Sequence, residues 1–349
     1  MTQQKLILLF DGTWNDPEDQ TNVYRLTRLL HDDDKGVKQR FYYDPGVGTS
    51  RYQRFIGGAF GYGLSDNLRK GYDWLARRYR EGDEIWIFGF SRGAYTARSL
   101  VGMMRKCGLV HVVTPSLLDK AEQLYRDREL HPDSDACKAF KANFSRQPRV
   151  HFIGVWDTVG ALGVPGTKLF KRYYDWHDTQ LSSIVDYAYQ AVALDEHRAD
   201  YNVSLWTSAD GQQKPANRDV QQRWFIGAHA NVGGGYGPRD ALADIPLLWM
   251  VEKAAQAGLK LDYPDVAENA WATDPIDSYA AFLGGWYAKY KRLRQSSDAR
   301  FYRCYAQGMQ GLPAVNVSVD ESVWSRWADA ACHYRPRTLT DANVTPPGP

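Results

Sequence analysis

Gly89-Phe90-Ser91-Arg92-Gly93 places a serine between two glycines, directly after the apolar run EIWIFGF and directly before the helix-forming AYTARSL. A serine at a sharp strand-to-helix turn is a nucleophile elbow. The glycines leave room for strained backbone, and the helix N-terminus favours developing negative charge. The plainer reading is a tight turn with a capping serine. A hydroxyl attacks a carbonyl only if a base takes its proton and an acid orients that base. Two residues of the right types lie downstream, each just past an apolar run: Asp157 closes RVHFIGVWD and His229 closes RWFIGAH. The chemistry open to these three is acyl transfer through a covalent serine intermediate, and their order along the chain is that of α/β-hydrolases.

Each has rivals. Asp157 also reads as a strand-end turn residue opening DTVG, while Asp186, Asp195 and Asp210 fall on stretches read as polar or helical, where a solvated carboxylate is the ordinary explanation. His151 sits inside a strand pattern as a packed core histidine, and His197 in ALDEHRAD reads as a helix-surface residue. His229 is preferred because the glycine-rich ANVGGGYG after it lets the backbone turn sharply. The Arg92 N–H, directly after the serine, is the expected first oxyanion donor, with Gly12 or Thr13 at the end of the first strand as the second. FDGT also resembles the nucleophile loop of haloacid-dehalogenase-like phosphatases, but the aspartate that loop needs two positions earlier is Leu9 here.

These residues need strands and helices to hold them. Short apolar runs alternate with helical patterns, the signature of a mainly parallel sheet flanked by helices, an α/β class fold. KLILLF (5–10), RFYYD (40–44), EIWIFGF, RVHFIGVWD (149–157) and RWFIGAH (223–229) read as strands. Leu64, Leu68, Tyr72, Leu75 and Tyr79 recur at helical spacing, and a helix should run from about Arg92 to Lys106. The expected organisation is one domain over 1–349, with helical insertions over the strand ends at about 112–148 and 160–222.

Composition excludes more than it identifies. The 349 residues are 44% hydrophobic and 24% charged with a net charge of +2, so no electrostatic footprint points to nucleic acid. Cys107, Cys137, Cys304 and Cys332 have no metal-ligand spacing and read as free thiols. Neither a signal peptide nor a run of membrane-spanning length is evident, so the expectation is a soluble chain made in the cytoplasm. The chemistry calls for no metal or organic cofactor, although the acidic loop at 11–19 leaves room for a structural ion.

LLFDGTWND with TNV, YYDPGVGT, FGFSRGAYTAR, FIGVWDTVG, ALDEHR, WFIGAHANVGGGY, DIPLLWM and HYRPRTL together resemble, in order from residue 5 to about 339, the catalytic domain of the type VI secretion phospholipase effector family. The resemblance implies an α/β-hydrolase fold, a Ser91-Asp157-His229 triad and carboxylic-ester hydrolysis, with membrane phospholipids as the substrate of characterised members. Relatives usually read HSDVGGGY; this chain has Ala230 and Asn231, which leaves the triad intact and bears on substrate preference. The additional C-terminal membrane-docking region of effector members is not matched, so delivery through a secretion system is not implied.

The expected function is therefore a serine ester hydrolase, of lipase, phospholipase or esterase type, acting on lipid or small acyl esters. Alternatives are a hydrolase-fold binding or assembly protein with an inactive site, and amide or thioester cleavage or acyl transfer on the same scaffold. A candidate for peripheral membrane contact is YAAFLGGWYAKYKRLR, where Tyr279, Phe282, Trp286 and Tyr290 recur every three or four residues before a basic end. The more ordinary reading is an aromatic stripe packed on the core. RFIGGAFGYGL (54–64) reads as a lid or a packed turn.

Overall fold

The computed structural model describes residues 3–12, 17–46, 59–160, 180–237, 240–294, 299–308 and 311–348. In chain order the first half comprises β1 (Gln4–Phe10), α1 (Asn22–Leu29), β2 (Asp33–Asp34), β3 (Val37–Asp44), α2 (Ala59–Arg78), β4 (Glu84–Phe90), α3 (Arg92–Cys107), β5 (Leu109–Val110), α4 (Pro115–Arg126), α5 (Asp135–Phe144) and β6 (Ser145–Arg146). The second comprises β7 (Val150–Trp156), β8 (Val185–Ala193), β9 (Asp219–Phe225), α6 (His229–Gly233), α7 (Ala241–Gln256), α8 (Ser278–Ala281), α9 (Trp286–Arg294), β10 (Val317–Val319), α10 (Glu321–Ala328) and α11 (Arg337–Thr340).

Eight strands form one sheet in the order β10-β9-β8-β7-β4-β1-β3-β2, parallel throughout except for the two-residue β2. This is an α/β-hydrolase-like fold. The strands read as continuous apolar runs because both sheet faces are covered. Period-two alternation divides their side chains between two cores. Leu6, Leu8, Phe10, Ile85 and Ile87 pack beneath α2 and α3. Ile7, Leu9, Trp86, Phe88, Phe90 and Phe152 face α1 and α7. Each such side chain, fully withdrawn from water, contributes about 1.5–3 kcal/mol before the entropy of ordering it is set against that gain.

Register brings the functional candidates together. Phe90 of β4 pairs with Trp156 of β7, and Trp156 with Ala191 of β8, so Ser91 and Asp157 leave the same sheet edge on neighbouring strands.

Three expectations require correction. The span 160–222, of which 161–179 lie outside the described residues, is not simply an insertion over the strand ends: from 180 on it contains β8 and most of β9, two strands of the central sheet. VDYAYQAVA carries few of the large aliphatic residues that mark the other strands, yet Val185, Ala188, Ala191 and Ala193 are fully buried, small because they lie under packed neighbours. ALDEHR is not helical; it follows β8 as a loop ending in the short turn Ala199–Tyr201. Finally, 279–294 is not one amphipathic helix. Gly284 and Gly285, at φ +62° and +85°, separate α8 from α9 through a 3-10 turn. The break turns Trp286 outward at 75% exposure and puts Tyr287 beside buried Tyr279 in its place. Of the candidate lid, residues 54–58 lie outside the described residues and Ala59 begins α2. Among the described residues, no helix is long and apolar enough to cross a membrane.

Candidate active site

Ser91 joins β4 to α3 with φ +57° and ψ −120°, a conformation costly for a residue with a Cβ and held here by its surroundings. The flanking glycines explain how. A Cβ on Gly93 would stand 2.1 Å from the Phe10 carbonyl oxygen and 2.5 Å from that of Asp11, and one on Gly89 would meet the Gly93 oxygen at 2.6 Å. The first turn of α3 therefore lies against the end of β1 as closely as bare backbone allows. The Ser91 N–H donates to the Trp156 oxygen (3.0 Å), tying the turn to the strand that delivers Asp157.

The structure brings Ser91, His229 and Asp157 into one hydrogen-bonded line. His229 Nε2 lies 2.7 Å from Ser91 Oγ, and Nδ1 lies 2.6 Å from Asp157 Oδ2. An ionised carboxylate only accepts, so Nδ1 carries the proton and Nε2 is left to accept from the serine hydroxyl. All three are buried, Ser91 at 5% exposure, His229 at 6% and Asp157 at 0%. His229 does not end a strand: β9 stops at Phe225, and the histidine opens α6 after a turn through Gly227 at φ +103°. Its ring lies against Phe90 and meets Tyr201 edge-on, with centroids at 4.7 and 5.1 Å.

Electrostatics separate the two titrating partners. Burial pushes the Asp157 carboxyl up, but the Arg303 guanidinium and the hydrogen bonds from His229 and Arg303 outweigh it, holding the group well below the usual carboxylate range. Burial also pushes the His229 imidazole below its ordinary value, only partly countered by Asp157 and Glu196. Glu196 is itself buried, accepts the His229 N–H (3.3 Å) and is forked by Arg198 at 2.8 and 2.7 Å. The site thus contains two buried acid–guanidinium pairs around one imidazole.

The other sequence candidates lie elsewhere. Asp186 is on β8, paired with Arg149. Asp195 is half-buried, accepting from the Gly227 N–H (2.7 Å) and Tyr334 hydroxyl (2.8 Å), and Asp210 sits in an exposed turn with Ser208 and Gln212. His151 places Nε2 2.9 Å from the Ala257 oxygen, and His197 lies against the extended chain at Phe301. Arg92 opens α3, where first-turn N–H groups point out of the helix. The Gly12 N–H donates to Asp11 Oδ1 (2.7 Å), so it could serve an oxyanion only by exchanging that bond; Thr13 lies outside the described residues. Asp11 is otherwise engaged by the Thr21 and Tyr43 hydroxyls at 2.6 and 2.8 Å.

Sequence reasoning missed Arg303, Glu196 and Arg198. Glu196 and Arg198 lie inside a quoted motif but were not read as site residues; nothing in FYRCYAQ marks Arg303. It also left Asn231 unexplained. Asn231 Oδ1 accepts the N–H groups of Ala228 (3.1 Å) and Ile276 (3.2 Å), and Nδ2 donates to Asp240 Oδ1 (3.0 Å). An aspartate could not make that last donation while ionised.

Above Ser91 opens a cavity of about 330 Å³, lined by Phe90, Tyr201, Ile276, Ala281 and Phe282 with Arg92 and Arg198 among them. A larger cavity of about 630 Å³ between α3 and Leu181–Ser183 touches none of the three candidates.

A family model described as T6SS, phospholipase effector Tle1-like, catalytic domain matches residues 4–253. An uncharacterized protein of Saccharomyces cerevisiae, YEL023C, is 31% identical over 230 residues, covering 58% of this chain and 33% of that protein. The crystal structure of an uncharacterized protein from Pseudomonas aeruginosa is similar at 19% identity and TM-score 0.45, over 82% of this chain and 51% of that one. The Tle1 effector bound to the VgrG spike of the type 6 secretion system is similar at 16% identity and TM-score 0.43, over 86% of this chain and 81% of that one. The chain thus spans about a third of the yeast relative and about half of the Pseudomonas protein.

Proposed function

The chain belongs to the Tle1-like phospholipase effector family, matched in its catalytic domain, and from that premise we propose that it is a serine ester hydrolase acting on lipid or acyl esters. The observation that carries this reading is the unbroken line Ser91 Oγ, His229 Nε2, His229 Nδ1, Asp157 Oδ2 at the foot of a cavity with apolar walls. Ser91 Oγ attacks the ester carbonyl carbon as His229 Nε2 takes its proton. The oxygen that becomes negative is held by the Arg92 N–H, and Asp157 stabilises the imidazolium. Collapse expels the alcohol with the proton from Nε2 and leaves an acyl group on Ser91. Water then attacks that acyl carbon, again giving its proton to His229, and the carboxylic acid leaves as Ser91 recovers its hydrogen.

The walls suit a hydrocarbon chain, and phospholipid esters are the substrate class that the family description carries. Hydrolysis of p-nitrophenyl esters across acyl lengths, for the native chain and Ser91→Ala, tests the proposal. Turnover and fluorophosphonate labelling that vanish in Ser91→Ala support it, and the best chain length then separates a short-acyl esterase from a lipase to be taken to phospholipid vesicles. Turnover surviving the substitution, or no turnover and no labelling of folded native protein, refutes it.

A further inference from the structure

Arg303 lies beyond residue 253, where the family match ends, yet it touches the candidate triad. It sits on extended chain pinned beside ALDEHR: the Phe301 N–H donates to the His197 oxygen (2.9 Å), and His197 Nδ1 lies 3.2 Å from the Phe301 oxygen. All four terminal N–H bonds of the guanidinium are placed. Nη1 donates to Asp157 Oδ1 (2.6 Å) and the Ala193 oxygen (2.8 Å); Nη2 donates to Asp157 Oδ2 (2.9 Å) and the Tyr201 oxygen (2.5 Å). The Ala193 N–H supplies a further bond to Oδ1 (2.9 Å). One side chain therefore joins the acid, the end of β8 and the turn whose Tyr201 ring braces His229.

The chemistry of this arrangement has two sides. A carboxylate with no solvent exposure and no cation beside it holds any proton within reach more tightly, including the one that turns its imidazole partner into an imidazolium. A planar fork satisfies both oxygens and fixes their orientation, which a lysine cannot do. The same positive charge, one carboxylate away from His229, offsets the attraction that Asp157 alone would exert on an imidazolium.

We propose that Arg303 is a positioning residue for the hydrolysis: its fork sets Asp157 in the orientation that meets His229 Nδ1, and its charge limits how firmly that carboxylate retains a proton on His229. This rests on the Ser-His-Asp reading above. The other groups facing His229 are accounted for: Glu196 is paired with Arg198, Arg92 and Tyr236 line the same cavity, and Ser91 and Tyr201 bring hydroxyls.

The test uses the full chain as native protein, Arg303→Gln and Arg303→Lys, with His229 titrated by NMR of isotopically labelled histidine and kcat/KM for an ester measured across pH. In Arg303→Gln the His229 midpoint is expected to rise by about one pH unit, because an unbalanced carboxylate now faces it. The plateau of kcat/KM is expected to fall by about 10- to 100-fold from lost orientation. Arg303→Lys should keep the native midpoint and recover only part of the plateau. A native midpoint in Arg303→Gln, or the same displaced midpoint in both variants, overturns the proposal. If Arg303→Gln does not fold, Arg303→Lys decides: native midpoint with lowered plateau supports it, and a displaced midpoint or a native plateau overturns it. Native-level turnover in Ser91→Ala, or none in the native chain, removes the hydrolase reading instead. The NMR midpoints then still report whether Arg303 governs the proton on His229.

Discussion

Gly93→Ala isolates the elbow from the rest of the fold. The added Cβ would fall 2.1 Å from the Phe10 oxygen, and reaching ordinary contact at 3.4 Å requires the first turn of α3 to move from β1 by roughly 1.3 Å. Both partners are backbone, so no side-chain rotation relieves the clash. Forced overpacking of this kind costs about 1–3 kcal/mol, which in a chain of this size lowers Tm by only about 2–4 °C. The effect on chemistry is much larger, since Ser91 and the Arg92 N–H ride on that turn and a displacement near 1 Å costs roughly 10²-fold in rate. Ester kcat/KM is therefore expected to fall about a hundredfold while the thermal transition, followed by circular dichroism, moves a few degrees. Gly102→Ala, on the same helix, is the internal control: the nearest atoms to its Cβ would be those of the Tyr125 side chain, from 3.2 Å, and activity should stay near native. Native-level activity in Gly93→Ala, or an equal loss in Gly102→Ala, would refute the reasoning.

The pH dependence follows from the direction in which burial moves His229. In the proposed mechanism neutral imidazole is the active form, so kcat/KM should rise with pH through a midpoint below histidine's ordinary value of about 6.5, and a midpoint above 7 contradicts that mechanism. The same depression means that the unfolded chain binds this proton more readily than the folded one, so its contribution to stability is lost as pH falls below about 6.5. Asn231→Asp replaces a donor to Asp240 with a second carboxylate. Burial has pushed Asp240 up to about 6, so the variant's loss of stability, about 1–3 kcal/mol, should be full at pH 8 and shrink at pH 5, where a protonated Asp240 can donate. A Tm gap independent of pH sinks this account of Asn231.

The candidates Ser91, Asp157 and His229, which the structure brings within hydrogen-bonding reach of one another, could be picked from the sequence because their signals are local. An elbow needs glycines at fixed offsets, and a buried parallel strand writes itself as an apolar run whose end can be read off the chain. The sheet class followed from the same runs, except at β8, whose alanines are set by how closely its neighbours pack. Trp286 shows the limit of periodicity: two glycines at positive φ broke the helix that the spacing predicted and reversed which aromatic faces inward.

Tertiary structure alone decided what surrounds the three residues. Arg303 meets Asp157 across 146 positions of chain, and Ile276 meets Asn231 across 45. No periodicity links such pairs, because the contacts depend on where long connections return over the sheet edge. The sequence by itself singled out the groups that the proposed chemistry would use. Only the folded chain determined how each is oriented and which form of each carries the proton, since burial and opposing charge act through space rather than along the backbone.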